Sequence, residues 1–192
     1  SVVVKAHKRF GLDSDRGLQR KVVQAVQEME NAGYQFEAAD ASFELLVRKT
    51  LGGKWYRRFW ELDHYRCVIL QTTEGRSSSE GSVKLWIDGE LVHTVGEGDG
   101  PVNALDAALR KALAGHYPLV EQLKLVDYKV RVVNPRAGTA ARVRVVTEFR
   151  DAKGGYFGTV GVDENIIHAT WRALTDAIEY KLLNAKQKQP KK

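Results

Sequence analysis

The sequence has little of several residues that define special classes of protein. It contains one cysteine, Cys67, and four prolines among 192 residues. A single cysteine forms no internal disulfide, so a reducing cytoplasm is the expected location. No apolar run approaches the roughly 18 residues that a membrane span needs, and we expect no membrane partner. The 43% hydrophobic and 28% charged residues are typical of a globular protein rather than a disordered one.

The excess of positive charge lies at the C-terminal end. The chain has 30 Lys and Arg against 24 Asp and Glu, a net charge of +6. Five lysines and no acid fall between Lys181 and Lys192, which leaves 25 basic against 24 acidic residues elsewhere. Gln and Pro separate these lysines and no aromatic residue accompanies them. Residues 185–192 are therefore predicted to form a disordered basic tail.

One short segment mixes cations with aromatics, as surfaces that bind single-stranded nucleic acid do. It runs from Lys54 to Trp60 and is followed by acids at Glu61 and Asp63. We interpret it as a junction whose aromatic residues wedge the preceding helices against the following strands. No nucleic-acid partner is expected, and a nucleic-acid binder remains the weakest alternative.

Two amphipathic helices are predicted in residues 1–53, the helical linker subdomain. Residues 13–32 place apolar side chains at helical spacing, with Asp13 or Asp15 as N-cap and Gly33 at the end. Residues 37–51 form the second helix. Because two short helices make a poor core, they are expected to pack against something else. The chain starts without Met inside an apolar run, so we interpret it as a piece of a longer protein.

The following residues contain one pattern written twice. From residue 62 the apolar period changes from 3.6 to 2, which predicts strands at 65–72, 82–88 and 91–95 before a helix that Pro101 begins, with Asp99 as a candidate cap. Residues 125–129 match 62–66 at an offset of 63, and 159–161 match 94–96 at an offset of 65. Strands at 141–149 and 156–160 belong to the second copy.

The predicted fold class is therefore α+β, with an N-terminal helical linker followed by a duplicated, pseudo-two-fold β-β-β-α domain. This domain covers residues 54–184, with units at about 61–115 and 123–184.

The duplication also predicts a candidate binding site. Each unit has a Gly- or Asx-bearing loop before its helix, at 96–100 and 161–165, and pseudo-symmetry would bring the two helix N-termini near one another. Free amides at a helix N-terminus attract carboxylates, and Val102 and Ile167 would form an aliphatic wall. A small zwitterion with a branched side chain suits this description. The alternative, which spacing alone favours, is that the glycines only make turns.

The sequence offers no catalytic constellation. Its five histidines have no metal-ligand spacing, and no phosphate loop, dinucleotide fingerprint or nucleophile elbow occurs. The adjacent acids Asp163 and Glu164 are more typical of a helix cap than of an acid/base pair. We therefore expect neither catalytic nor metal-binding residues in this chain.

Four segments resemble the C-terminal part of the 2-isopropylmalate synthase family. They are GYQFEAADASFELL at 33–46, GDGPVNAL at 98–105, LVDY at 125–128 and GVDENII at 161–167. The GYQFE segment is similar to the (R)-citramalate synthase branch, whereas the glycine-rich helix start is shared by both branches. The resemblance covers essentially the whole chain.

The resemblance implies a regulatory role. Members of this family carry an N-terminal TIM barrel with a divalent metal, which condenses acetyl-CoA with a 2-oxo acid. A helical linker and a duplicated β-β-β-α regulatory domain that dimerises follow the barrel. The parent protein is thus expected to be an acyltransferase, whereas this fragment, without the barrel, should be inactive alone and hold no cofactor. The expected partners are a second copy in a homodimer, the missing barrel and an amino-acid effector.

The resemblance also implies an effector site. In the family the end-product amino acid, isoleucine for citramalate synthases and leucine for isopropylmalate synthases, binds at the regulatory dimer interface. The matching positions are Gly98, Asp99, Gly100, Pro101, Val102 and Asn103 at the first helix start, Leu125, Asp127, Tyr128 and Val132 in the fourth strand, and Val162, Asn165 and Ile167 at the second helix start.

The roles of these positions follow from the same resemblance. Helix-start amides would bind the carboxylate, Asp99 or Asp127 would pair with the ammonium, and aliphatic side chains would enclose the effector. The two helix starts differ in sequence, so two equal pockets per chain are not expected. A dimerisation scaffold without an effector is the alternative from another class.

Overall fold

The computed structural model describes residues 2–134, 138 and 141–186. They form two compact units. Unit 1 combines the residues up to Arg57 with those from Lys124 onward, and unit 2 is Arg58–Leu123. Of the predicted tail at 185–192, residues 187–192 lie outside the described residues.

The elements occur in the predicted order of helices followed by two β-β-β-α copies. The helices are α1 (Val2–Arg9), α2 (Arg16–Asn31), α3 (Asp40–Leu51), α4 (Pro101–Ala114) and α5 (Ile166–Lys186). The strands are β1 (Glu61–Gln71), β2 (Ser77–Ile87), β3 (Glu90–Gly98), β4 (Lys124–Val132), β5 (Val143–Arg150) and β6 (Tyr156–Asp163). The predicted α+β class with two such copies is confirmed. No described helix has the length and apolar character needed to cross a membrane.

Helix α2 begins and ends close to the predicted positions. The Asp15 carboxylate accepts a hydrogen bond from the Leu18 amide at 3.0 Å, so Asp15 rather than Asp13 is the N-cap. Gly33 follows the helix with φ 104°, a conformation that glycine adopts without strain. Helix α3 starts at Asp40, three residues later than predicted, and α1 was not predicted at all.

The two sheets repeat the same irregularity. Each has three antiparallel strands, in the orders β1-β2-β3 and β4-β5-β6. The register shifts between Leu62 and His64 in β1, and between Leu125 and Asp127 in β4, which are equivalent positions at an offset of 63. A bulge at equivalent positions of both copies is what a duplicated β-β-β-α unit predicts.

Each sheet also binds its own helix in the same way. The Thr94 hydroxyl donates to the Ala108 carbonyl oxygen at 2.6 Å, and the Thr159 hydroxyl donates to the Ala173 carbonyl oxygen at 2.7 Å. Two residues further on, Gly96 and Gly161 lie against the helix backbone so closely that a Cβ atom would overlap it. Glycine is therefore required at both positions for close packing of helix on strand.

The other face of the β4-β5-β6 sheet is covered by the N-terminal helices. Phe43 and Val47 of α3 share an apolar core with Val160 and Val162 of β6, and Gly158 lies directly beneath the carbonyl group of Ala38. The two predicted linker helices thus bury their apolar faces on the sheet of the second repeat. β6 is consequently buried on both sides.

Candidate effector site

The first helix start, at residues 98–103, belongs to unit 2. Gly100 is the N-cap of α4, with φ −152° and ψ 174°, and Pro101 is the first helical residue. The prediction that Asp99 caps this helix is wrong, because Gly100 occupies the N-cap position and has no side chain to bond the first amides. The side chain of Asn103 turns back against Gly98, where a Cβ atom would overlap it.

The second helix start is occupied by its own side chains. Asn165 Oδ1 accepts hydrogen bonds from the amides of Ile167, at 2.8 Å, and His168, at 3.4 Å. The Asp163 carboxylate accepts a hydrogen bond from the backbone amide of Asn165 at 2.9 Å and one from the Arg172 guanidinium group at 3.1 Å. The amides that would attract a carboxylate are therefore already used at α5, whereas Gly100 brings no such group to α4.

Three of the candidate residues in β4 share one face of the sheet, the face that α5 covers. Tyr128 packs against Ala169 and Ala173 of α5, and its hydroxyl shares a 2.7 Å hydrogen bond with the Thr170 hydroxyl. Val132 is 53% exposed, and Leu125 pairs in register with the buried Phe149. The arrangement is a partly exposed apolar surface beside a hydroxyl pair.

Two other candidates lie on the opposite face. Asp127 pairs in register with Glu148 and forms an ion pair with Lys129 at 3.1 Å. Because side chains alternate along a strand, Asp127 points away from the face that carries Tyr128. Val162 is 1% exposed and packs in the core shared with α2 and α3, so the structure makes it a packing residue with no surface for a ligand.

A polar contact that the sequence did not reveal joins α3 to β6 and α5. The Ser42 hydroxyl donates to Asp176 at 2.7 Å, while its oxygen accepts a bond from the Val160 amide at 3.0 Å. Lys49 lies 3.9 Å from Asp176 and 3.0 Å from Glu179. Each of these contacts joins residues 118 or more positions apart in the chain, and no spacing pattern relates the two sides.

The carboxyl group of this contact has a strongly shifted pKa. Burial raises the pKa of Asp176 to about 7, and the neighbouring charge of Glu179 acts in the same direction. Lys49, Arg172 and the hydrogen bond from Ser42 favour the ionised form and oppose this shift only in part. Near neutral pH, therefore, this junction between α3 and α5 holds a carboxyl group that is partly protonated.

Asp176→Asn should remove a pH dependence from the stability of unit 1. The pKa of Asp176 in the folded unit lies above its ordinary value of 3.8. The folded state therefore retains a proton that the unfolded chain releases, and the free energy of unfolding falls as pH rises from about 4 to about 7. Since 23% of the Asp176 side chain reaches solvent, we expect a loss of about 1–2 kcal/mol, less than the full shift implies.

The measurement is urea unfolding at pH 5 and at pH 8. Asp176→Asn should be more stable than the parent chain at pH 8, with a smaller difference at pH 5. Asp13→Asn, which changes an exposed acid before α2, is the control and should follow the parent at both values. Parallel behaviour of Asp176→Asn and the parent would contradict the assigned pKa.

The aromatic segment at 54–60 is packed within each unit. In unit 1 the Trp55 ring meets Phe10 edge to face at 5.2 Å, and in unit 2 the Phe59 ring meets Tyr117 at 5.6 Å. Phe59 and Trp60 are buried. These rings contribute to cores instead of offering faces on which bases stack.

The described residues contain no group of three or more His, Cys, Asp or Glu side chains arranged to hold a metal ion. The thiol of Cys67 is half-buried and lies 3.8 Å from the Pro101 carbonyl oxygen, and burial raises its pKa. A raised pKa lowers the fraction of the thiol present as the reactive thiolate.

Comparisons with known proteins agree with the duplicated architecture. Residues 37–182 match the family described as the LeuA allosteric (dimerisation) domain. The (R)-citramalate synthase of Aquifex aeolicus is 44% identical over 186 residues, which cover 95% of this chain and 35% of the relative. That of Geobacter sulfurreducens is 44% identical over 184 residues, covering 95% of this chain and 34% of the relative.

The other branch is less similar. The 2-isopropylmalate synthase of Aquifex aeolicus is 31% identical over 153 residues, which cover 78% of this chain and 26% of the relative. The chain spans about a third of the length of the citramalate synthases that it matches. On the family match and the repeated β-β-β-α architecture, the chain belongs to the LeuA allosteric (dimerisation) domain family, as an allosteric regulatory domain of the citramalate synthase type.

Proposed function

We propose that this chain is the regulatory part of an (R)-citramalate synthase, where it binds isoleucine at a homodimer interface and mediates feedback inhibition. The observation that carries the proposal is the 44% identity to citramalate synthases over 95% of the chain, against 31% over 78% for a 2-isopropylmalate synthase. The condensation of acetyl-CoA with pyruvate, and the divalent metal for it, would belong to a barrel outside this chain. The cytoplasm is the proposed location.

The chemistry of the two helix starts favours α4 as the site for the effector carboxylate. The start of α5 is already bonded by Asn165 and Asp163, so a carboxylate there would have to displace two internal hydrogen bonds. At α4 the glycine at the N-cap brings no competing side chain, and the helix dipole favours an anion there. Asp99 is exposed next to it and is the proposed partner for the ammonium group.

The aliphatic side chain of the effector needs apolar surface that is not already part of a core. In unit 1, such surface is offered by Val132, at 53% exposure, and by the partly exposed Leu125 and Ile167. In unit 2, Val102 is partly exposed next to the start of α4. Burying four carbon atoms contributes about 0.8 kcal/mol each. Tyr128 holds one edge of this surface through its bond to Thr170.

The helical linker provides the route by which an effector would act on the barrel. Helices α2 and α3 pack on β6, and Ser42 joins α3 both to the β6 backbone and to Asp176 of α5. An effector that binds one arrangement of this domain more tightly favours that arrangement and hence one position of the linker. By reciprocity, substrate binding at the barrel should weaken the effector.

The two alternatives differ in what the chain binds. A leucine-regulated 2-isopropylmalate synthase would keep the site and change its preferred ligand, because leucine and isoleucine differ only in the position of one methyl group. A dimerisation scaffold would associate with a second copy and ignore amino acids.

The first test is calorimetric titration of the chain with isoleucine, leucine and valine at equal concentrations. We expect saturable binding with isoleucine tightest. Binding led by leucine would assign the parent protein to the other branch. No binding by any of the three, in a chain shown to be folded and dimeric, would favour the scaffold.

Variants then locate the site. Gly100→Val should abolish isoleucine binding, since a branched side chain would cover the start of α4, and Tyr128→Ala should weaken it strongly. Gly115→Val and Tyr156→Ala are matched controls, because Gly115 also has free space around it and Tyr156 is 60% exposed in the same sheet as Tyr128. In the synthase that carries the chain, the first two variants should lose inhibition and keep uninhibited turnover. Loss of turnover with inhibition retained would contradict the proposal.

A further inference from the structure

A cavity of about 290 Å³ lies in unit 1 between the segment before α3 and the face of β4 and β5 that points away from α5. Its lining includes Glu37 and Ala38 from that segment, together with charged side chains of the two strands. This face is opposite to the one that carries Tyr128, so the cavity is separate from the effector site proposed above. Its size is at the lower end of the range typical of small-molecule pockets.

The charges in the cavity follow an unusual order. Asp127 of β4 pairs in register with Glu148 of β5, and four residues further along, Arg131 pairs with Arg144. Like charges directly opposite one another on neighbouring strands destabilise a sheet, and opposite charges stabilise it. Exchanging one residue of each pair would give two favourable pairs. The observed order therefore costs stability and needs another explanation.

Interactions with neighbouring residues account for only one of the two charges at each end of the cavity. Lys129 forms an ion pair with Asp127 at 3.1 Å. The charge of Glu37 acts on Arg144, whose Nε also donates to the Gly33 carbonyl oxygen at 2.8 Å. The ion pairs found among the described residues include neither Glu148 nor Arg131. A carboxylate thus remains at one end of the cavity and a guanidinium group at the other.

Burial lowers the pKa of Arg144, and the charge of Arg131 lowers it further. The two guanidinium groups therefore repel one another, which an anion between them would relieve. Val146, which lies between the two charged pairs and pairs in register with Lys129, offers apolar surface, and Ala38 also lines the cavity. Four residues along a strand correspond to about 13 Å, so the two charged ends are well separated.

We propose that this cavity binds an elongated zwitterion, a small molecule with an amine cation at one end and a carboxylate at the other, joined by an apolar chain. The cation would lie at Glu148, the carboxylate at Arg131 and Arg144, and the apolar chain over Val146. A branched α-amino acid, whose two charges are on adjacent atoms, fits this arrangement poorly. Since Glu37 and Ala38 come from the segment that leads into α3, an occupant would also hold the linker on the sheet.

The test is calorimetric titration of the chain with 6-aminohexanoate, with hexanoate and hexylamine as probes that each lack one charged end. We expect saturable binding of 6-aminohexanoate only. Arg131→Gln and Glu148→Gln should each weaken it by about tenfold or more, since each removes one charge-assisted contact. Arg76→Gln and Glu74→Gln are the matched controls, because these side chains are 81% and 76% exposed in unit 2. Both should bind as the parent chain does.

The proposal would be overturned if 6-aminohexanoate showed no saturable binding, or if hexanoate or hexylamine bound equally well. It would also be overturned if Arg131→Gln and Glu148→Gln, shown to be folded by thermal unfolding, both bound 6-aminohexanoate with unchanged affinity. Tyr128→Ala separates this proposal from the effector proposal, because it should strongly weaken the binding of isoleucine and leave the binding of 6-aminohexanoate unchanged. Isoleucine binding without 6-aminohexanoate binding would leave only the effector site.

Discussion

Gly161→Ala should destabilise unit 1 by about 3 kcal/mol or more, at the upper end of the range for overpacked sites. A Cβ atom at this position in β6 would overlap the carbonyl oxygen of Ala169 and lie 3.1 Å from Cβ of Arg172. Both neighbours belong to α5, and a helix backbone cannot rotate away as a side chain can. The helix must therefore move off the sheet, which weakens the core around Val145, Ala169 and Ala173.

Urea unfolding followed by circular dichroism measures the effect. Gly115→Ala is the matched control, because Gly115 has a helical φ of −66° and free space around its Cα. Its stability should change by less than about 1 kcal/mol. A Gly161→Ala chain as stable as this control would mean that α5 does not approach β6 as closely as described. The effector titration should also fail in Gly161→Ala, since Thr170 would lose its position beside Tyr128.

The duplication was the feature of the fold that could be predicted most clearly from the sequence. Thr94 and Gly96 recur as Thr159 and Gly161, and both pairs perform the same task of fastening a helix to a strand. Such residues can be recognised in a sequence, because each contact between helix and strand requires one particular residue type at one position. The alternation of apolar and polar residues in β2 and the residues that begin and end α2 likewise depend on residue types close together in the sequence.

Long-range choices could not be predicted from the same patterns. The sequence indicated that α2 and α3 need a partner, but the choice of β6 depends on Gly158 being small where Ala38 approaches. Its counterpart in the first repeat, at an offset of 65, is His93. Helices α2 and α3 would meet the imidazole ring of His93 there. The difference between Gly158 and His93 can be interpreted only once the packing of the helices is known.

The site residues show the same limit. Asp127 and Tyr128 are adjacent in sequence and were both assigned to one site, yet the alternation of the strand places them on opposite faces. The bulge after Leu125 then puts Leu125 on the same face as Tyr128, three residues later, which regular alternation does not predict. Asn165 matched a position in the effector site, but its side chain completes the start of α5. Thr170, which holds Tyr128, has no pattern around it that marks it.

A buried ion pair holds α1, α3 and α5 together within unit 1. Glu44 is 5% exposed and Arg48 is 2% exposed, and two guanidinium nitrogens of Arg48 donate to Glu44 Oε1 at 2.9 and 2.7 Å. Arg9 of α1 reaches the other carboxylate oxygen at 2.6 Å. Arg48 also donates to the carbonyl oxygen of Trp55 and to Asn184 of α5.

Glu44→Ala should lower the free energy of unfolding of unit 1 by about 3–5 kcal/mol, because it leaves the charge of Arg48 buried without its carboxylate partner. Replacing both residues by apolar ones, as Glu44→Leu with Arg48→Met, should cost much less, since no buried charge remains. Glu28→Ala is the control: Glu28 is exposed on α2 and its carboxylate accepts a 2.9 Å bond from the neighbouring Gln24 side chain, so it should change stability by at most about 0.5 kcal/mol.

The comparison between single and double replacements decides what this pair contributes. If the double variant is nearly as stable as the parent, the pair adds little net stability, and its role is to fix the position of the linker helices on α5. Isoleucine should then still bind to the double variant, while inhibition in the synthase that carries it should weaken, because α1 and α3 would no longer be held at one position. A double variant as unstable as Glu44→Ala would show instead that the ion pair itself stabilises the unit.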